Sequence, residues 1–325
     1  MRLVLLGDVM LGRLVNQRLK SAPPAFPWGD TLPVLARADV RIANLECVLA
    51  DDGIPQPGKV FHFRSDLKNV ATLTAAGINA VSLANNHVLD YGTQAFRKTL
   101  PALDSHGILH AGAGPDLEAA RRAAIRRVGH TAVGFLAFTD NQPDWEAGPR
   151  RPGVFYVPAD DGAEDERVRD LLALVRRTKA RADLLVVSAH WGGNWGADPP
   201  SGHRRLGKAL VDAGADIVFG HSAHVFRGVE IHRGRPIIYS AGDFIDDYAV
   251  DEERNDQSFI FGVETSRALP VRLRLHPTVI AEFQARLAGK SAHAIAARMQ
   301  RLCARLGTQS QWSDEANVLE IPVAS

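Results

Sequence analysis

Short apolar runs that stop abruptly in polar, metal-competent side chains recur along this chain, and they restrict its fold more than any other feature. Ile78-Asn79-Ala80-Val81-Ser82-Leu83 runs into Ala84-Asn85-Asn86-His87. Leu3-Val4-Leu5-Leu6 leads to Gly7-Asp8, and Val40-Arg41-Ile42-Ala43 to Asn44-Leu45-Glu46. Leu184-Leu185-Val186-Val187-Ser188-Ala189 ends in His190-Trp191-Gly192, and Ile217-Val218-Phe219 in Gly220-His221-Ser222-Ala223-His224. Runs of this length and composition, bounded by turn residues, read as buried strands. Such a strand can present polar groups only at its end, which is where open α/β sheets keep their ligands.

The other elements fit an α/β chain. Strands are expected at 2–6, 39–44, 78–83, 131–138, 183–189, 215–219, 236–240, 258–264 and 270–275. Ser65 and Ser201 are placed to cap helices that stop at Gly77 and Gly214. A third helix opens at Thr93, with Pro101 marking a kink or break. Segment 160–181 is charged and periodic, and 286–306 is amphipathic. The βαβ alternation early, then closely spaced strands from 215 onward, predicts a mixed sheet or two packed sheets with outer helices. The Pro/Gly-rich stretches 21–33, 51–58, 140–153 and 192–202 read as loops, none with the composition of a domain linker. A single domain over 1–325 is therefore expected, with about 265–325 completing or decorating it.

The chain has 325 residues, 46% of them apolar and 23% charged, as in ordinary soluble proteins. Its formal net charge of +1 comes without a dense basic patch, so nucleic-acid binding is not expected. Arg121-Arg122 and Arg126-Arg127 read as a solvated face. No apolar run is long enough to span a membrane, and the start of the chain does not have the form of a signal peptide. Its two cysteines, Cys47 and Cys303, suit a reducing compartment, and a cytoplasmic location is expected. Cys47 follows Glu46 but has no adjacent basic group to form a thiolate, so it reads as a small buried residue.

A lone Asp after a strand is ordinarily a turn residue or helix cap, and a lone His a satisfied structural group. Five strand ends with complementary carboxylate, amide and imidazole groups are harder to assign to turn chemistry. The mixed O/N set suits Mn, Fe or Zn better than Ca²⁺ or a thiolate zinc site. His62, His106, His110, His130, His232, His276 and His293 have no partner pattern, and His203 is a weaker candidate behind the His190 loop.

The blocks Gly7-Asp8-Val9-Met10-Leu11-Gly12-Arg13, Ala43-Asn44-Leu45-Glu46, Ser82 to Gly92, Ser188-Ala189-His190-Trp191-Gly192 and Gly214 to Val225 occur in that order. Together they resemble the CapA family of poly-gamma-glutamate (capsule) biosynthesis proteins, itself similar to calcineurin-like metallophosphoesterases. The motifs cover residues 3 to about 250. The resemblance implies two packed mixed β-sheets flanked by helices, a four-layer αββα fold, with a two-metal centre at the strand ends. Asp8 and His224 would hold one divalent ion, Glu46 would bridge both, and Asn86, His190 and His221 would hold the second. His87 would be the proton donor or stabilise charge on the reacting group. Arg13 either adds a fixed charge for an anionic substrate or pairs with Asp8 or another strand-end acid.

Two departures stand out. Metallophosphoesterases at large carry His two residues after the first Asp, where this chain and the CapA-like pattern have Met10; that removes a ligand from the first site. A family Gly-Asn-Phe appears here as Gly242-Asp243-Phe244. Asp243 reads as a turn cap and Asp246 and Asp247 as solvated, with a supporting acid or a cation site as the alternative. Trp28, Trp145, Trp191 and Trp195 fall in loops, where they either line a pocket or pack beneath it. The function expected is hydrolysis of a phosphoester by a metal-activated water, on a small anionic or polymer-derived substrate. The alternatives are a capsule or poly-gamma-glutamate factor acting on an amide or ester, and a non-catalytic metal- or polyanion-binding protein.

Overall fold

A computed structural model describes residues 1–160 and 165–323. The larger sheet runs in the order Gln311–Ser313, Val318–Pro322, Leu269–Ala281, Gln257–Ser266, Arg2–Val9, Val40–Leu45, Ala80–Ser82, Leu109–Ala111. Asp243–Ile245 adds to it beside the end of Arg2–Val9, and Gln284–Leu287 beside Leu269–Ala281. From Arg2–Val9 to Leu109–Ala111 the neighbours are parallel, whereas Gln257–Ser266 lies antiparallel to Arg2–Val9. The smaller sheet has the order Val229–His232, Arg235–Ile238, Ile217–His221, Leu184–His190, Thr131–Thr139, Ala124–Val128. Its four central strands are parallel and its two edge strands antiparallel.

Strand periodicity sorts the apolar residues into layers. Leu3 and Leu5 point into a core between the sheets with Phe135, Val186, Ile217 and Phe219. Their neighbours Val4 and Leu6 point the other way, into a cluster with Phe96 and Leu103 of the helix Gly92–Ser105. On the smaller sheet, Leu185 and Val187 face Leu171 and Val175 of the helix Glu166–Lys179, and Leu206 and Leu210 of the helix Ser201–Asp212. Side chains alternate across a strand, so one apolar run serves both an inner and an outer layer. The result is the expected αββα arrangement of two mixed sheets. Residues beyond the motif region join it: the helix Ala292–Arg305 sends Ile295, Ala296, Met299 and Leu302 into the inter-sheet core.

Some local expectations change. Ser65 belongs to a two-residue strand, and its hydroxyl accepts the Asn69 amide at 2.9 Å instead of capping a helix. The helix that follows spans Val70–Ala75 and stops where Gly77 turns with φ of +65°. Pro101 neither ends nor splits its helix. The ring removes one backbone bond, while buried Phe96, Thr99, Ala102 and Leu103 hold both turns to the sheet. Asp165 caps the helix within 160–181 by accepting the Arg167 N–H at 2.7 Å. Residues 161–164 of that segment lie outside the described residues.

Candidate metal centre

The carboxyl ends of five parallel strands converge on one edge of the sandwich. Pairing sets the register: Asp8 lies opposite Asn44, and His190 opposite His221. Two triads whose ligand atoms lie within 4.8 Å of one another result, Asp8–His190–His221 and Asp8–His224–Asp243, and they share Asp8. All five residues are buried. Between His221 and His224 the chain reverses through Ser222, held at φ of +101°, with its N–H donated to Asp8 Oδ2 at 3.3 Å. Such a backbone conformation costs a non-glycine residue energy and persists only where its surroundings enforce it.

Acceptors outnumber donors at the centre. The Asn44 amide nitrogen reaches Asp8 Oδ1 at 2.8 Å and Glu46 Oε2 at 3.3 Å, and lies 3.5 Å from His190 Nδ1. Its two hydrogens cannot satisfy all three. His190 Nδ1 also faces His221 Nδ1 at 2.8 Å, with Asp8 Oδ1 at 3.7 Å from the latter, and His190 Nε2 meets Asn86 Oδ1 at 3.0 Å. The Ser188 hydroxyl lies 2.6 Å from His221 Nε2, on the far side of that ring. Burial raises the pKa of Asp8, and burial plus the neighbouring Asp8 charge pushes Glu46 well above the carboxylate range. Burial also lowers His190 well below its ordinary value, holds His221 at about 3 and lowers His224. Closely packed carboxylates and neutral imidazoles with too few donors are the environment a divalent cation suits.

His87 sits at the rim of this group. Its Nδ1 meets Asp90 Oδ2 at 2.6 Å, its Nε2 lies 3.8 Å from Glu46 Oε1, and its ring packs on Phe63 with centroids 4.0 Å apart. Lys59 braces the arrangement, donating to Asp90 Oδ1 at 2.6 Å and to the Asn86 carbonyl. Burial lowers the His87 pKa to about 4 despite Asp90. Asn85 accepts the His87 N–H at 3.0 Å and donates to Asn44 Oδ1 at 3.1 Å, which gives it a supporting place.

A cavity of about 610 Å³ opens over the centre, lined by Arg13, Glu46, Asn86, His87, Trp195 and His224 among others. Arg13 pairs with Asp247 at 3.4 Å, not with Asp8, and its guanidinium lies 5.3–5.8 Å from the ring centroids of Phe61, Phe63 and Tyr248. Its Nη1 is buried with no hydrogen-bond partner among the described residues. Trp195 is the one of the four loop tryptophans that lines the cavity, 46% exposed; Trp28, Trp145 and Trp191 are buried. His203 stacks on Trp191, away from the opening, and Cys47 is buried with its thiol pushed up to about 12.

The sequence reading underrated Asp243, which is buried on a strand beside Asp8 and receives His224 Nδ1–H at 3.0 Å. Asp247 likewise is no solvated acid, since it also accepts the Leu14 N–H at 2.8 Å. Asn44 and Asp90 were legible in principle, at i and i+2 with Glu46 and i+3 from His87. Lys59 carries no local signal.

A model of the bacterial capsule synthesis protein PGA_cap family matches residues 2–248. This chain belongs to that family. It is 40% identical over 250 residues to a probable polyglutamine synthesis accessory protein of Mycobacterium tuberculosis, covering 74% of this chain and 65% of that one. It is 31% identical over 246 residues to the PGA biosynthesis protein CapA of Bacillus subtilis, covering 74% and 62%. The chain thus spans slightly less than two thirds of these relatives' length. In fold it is similar to a novel phosphatase of Mycoplasma pneumoniae (TM-score 0.53, 14% identity, 86% of this chain and 93% of that one). It is similar also to a putative 5'-nucleotidase of Staphylococcus aureus (TM-score 0.51, 16% identity, 84% and 52%). The PGA_cap chain described here therefore has a metallophosphoesterase-like fold. No helix among its described residues is long and apolar enough to cross a membrane.

Proposed function

We propose that this PGA_cap protein is a metal-dependent phosphoesterase. The observation that carries the reading is the donor-poor cluster of Asp8, Glu46, Asn86, His190, His221 and His224, of which Glu46, Asn86 and His224 line a cavity together with Arg13 and His87. Asp8 and His224 would hold one divalent ion and Asn86, His190 and His221 the other, with Glu46 between them. Ions held there would lower the pKa of a water molecule and neutralise charge on a phosphoryl oxygen.

The chain's own groups divide the remaining work. The Asp90 contact fixes the His87 tautomer with hydrogen on Nδ1, leaving Nε2 facing the cavity. With its pKa held at about 4, His87 is neutral near pH 7, so Nε2 must gain a proton before it can give one to a leaving oxygen. An anionic substrate beside the ring favours that protonation. Arg13, braced by Asp247 and three aromatic rings, lines the cavity and offers its guanidinium to an anionic oxygen.

A second reading rests on the names of the relatives: the same centre would act on an amide or ester of an anionic polyglutamate, along the open cavity beside Trp195 and Phe61. Initial rates on phosphomonoesters, phosphodiesters and poly-gamma-glutamate oligomers, with Mn²⁺ supplied, separate the two. The phosphoesterase reading requires Mn²⁺-dependent release of phosphate or alcohol from a phosphoester. Turnover of the oligomers alone would replace it with the second.

A further inference from the structure

The metal-centre reading leaves the first ion short of ligands, and the inference drawn here rests on that reading. Met10 cannot help, because it is buried in the outer core with its sulfur accepting the Gly12 N–H at 3.2 Å. Asp243 stands in the place where help is needed. The strand Asp243–Ile245 runs parallel to the end of Arg2–Val9 and sets Asp243 directly opposite Asp8. Ligand atoms of Asp8, His224 and Asp243 lie within 4.8 Å of one another.

The two Asp243 oxygens have different surroundings. Oδ1 accepts His224 Nδ1–H at 3.0 Å, which leaves His224 Nε2 free. Oδ2 is buried, and no N–H or hydroxyl donor among the described residues reaches it; the neighbour within hydrogen-bonding contact of Asp243 on this side is the buried carboxyl of Asp246. Two buried carboxyls in contact, with no N–H or hydroxyl donor between them, make a place that suits a cation, and the Asp243 side chain is only 1% exposed. We propose that Asp243 is a ligand of the first ion, its Oδ2 supplying the contact that Met10 does not. An Asn at this position would keep the contact to His224 and contribute no charge; Asp243 adds an anionic oxygen. Asp8, Glu46, Asp243 and one imidazole form an oxygen-rich set, suited to Mn²⁺.

Metal-stripped protein titrated with Mn²⁺ by calorimetry, with metal content measured in parallel, tests the assignment. Wild type is expected to bind two ions. In Asp243→Asn the amide oxygen still accepts from His224, yet affinity for one ion falls at least tenfold while the other is unchanged. His221→Ala weakens the opposite ion and spares the one near Asp243. Wild-type affinity for both ions in Asp243→Asn would reduce Asp243 to a residue that orients His224, and the proposal fails alone. A wild type that binds no Mn²⁺ overturns the metal-centre reading and the proposal with it. Asp243→Cys provides a readout independent of affinity: a thiolate bonded to the ion gives a Cd²⁺ charge-transfer band absent from wild type. A folded, Cd²⁺-loaded Asp243→Cys protein without that band also overturns the proposal.

Discussion

At the scale of single residues, the groups proposed to hold metal differ from those proposed to act on the substrate. His87→Ala is expected to retain its metal and lose about 10²- to 10⁴-fold in kcat, the usual share of a proton-handling side chain. Unchanged kcat in a metal-loaded His87→Ala protein would remove His87 from the chemistry. Arg13→Ala is expected to lose about 10- to 100-fold in kcat/KM on a phosphoester, the effect of one charge-assisted hydrogen bond. Arg13→Lys should recover little of it, since an ammonium lacks the planar fork that Asp247 and the rings brace. Steady-state kinetics on the metal-loaded variants checks both. The residues named from sequence were those at strand ends, where position and side-chain type coincide. Asp243 was misread because Gly242-Asp243-Phe244 also looks like a turn. Only tertiary pairing with Asp8 shows that it is buried.

At the scale of elements, the centre depends on how closely strands approach. A Cβ at Gly220, one residue before His221, would lie 2.3 Å from the Tyr239 carbonyl oxygen and 2.7 Å from that of Ile238. Gly220→Ala must therefore push neighbouring backbone aside. We expect a loss of about 1–3 kcal/mol or more in stability and weakened binding of the ion at His190 and His221. Chemical denaturation and Mn²⁺ titration check this, and wild-type values in both would show that the strand end tolerates displacement. The apolar runs were readable because each is bounded by Gly or a polar group and alternates between two buried layers. The strands Leu109–Ala111 and Ala124–Val128 escaped notice, the first for its brevity and the second because its burial is only partial. Ser65 and Pro101 misled for a common reason: packing against the sheet outweighed local capping and ring sterics.

At the scale of the whole molecule, a metal held at the proposed centre would compete with protons for the same buried groups. Glu46, Asp243 and Asp246 have folded-state values raised chiefly by burial, so the metal-free folded protein binds more protons than the unfolded chain above the ordinary carboxylate range. Stability is then lost as pH rises. His87, His221 and His276 have values lowered to about 4, 3 and 4, so below about pH 6.5 the unfolded chain binds more protons and stability is lost as pH falls. A cation displaces the protons from the carboxylates, so the rise in Tm produced by Mn²⁺ should grow between pH 6 and pH 8. Thermal unfolding with and without Mn²⁺ checks it; a pH-independent shift would place the ion elsewhere. The layer order was legible from the alternation of strands and helices. The joining of residues beyond 265 to the larger sheet was less so, because that pairing is long-range. We propose that this segment belongs to the same folding unit as the centre. The most direct test of the account is anomalous X-ray scattering at the manganese edge from crystals grown with Mn²⁺. The account predicts density within about 2–2.3 Å of oxygen and nitrogen atoms of Asp8, Glu46, Asn86, His190, His221 and His224. Bound manganese elsewhere, with none at these side chains, would contradict it.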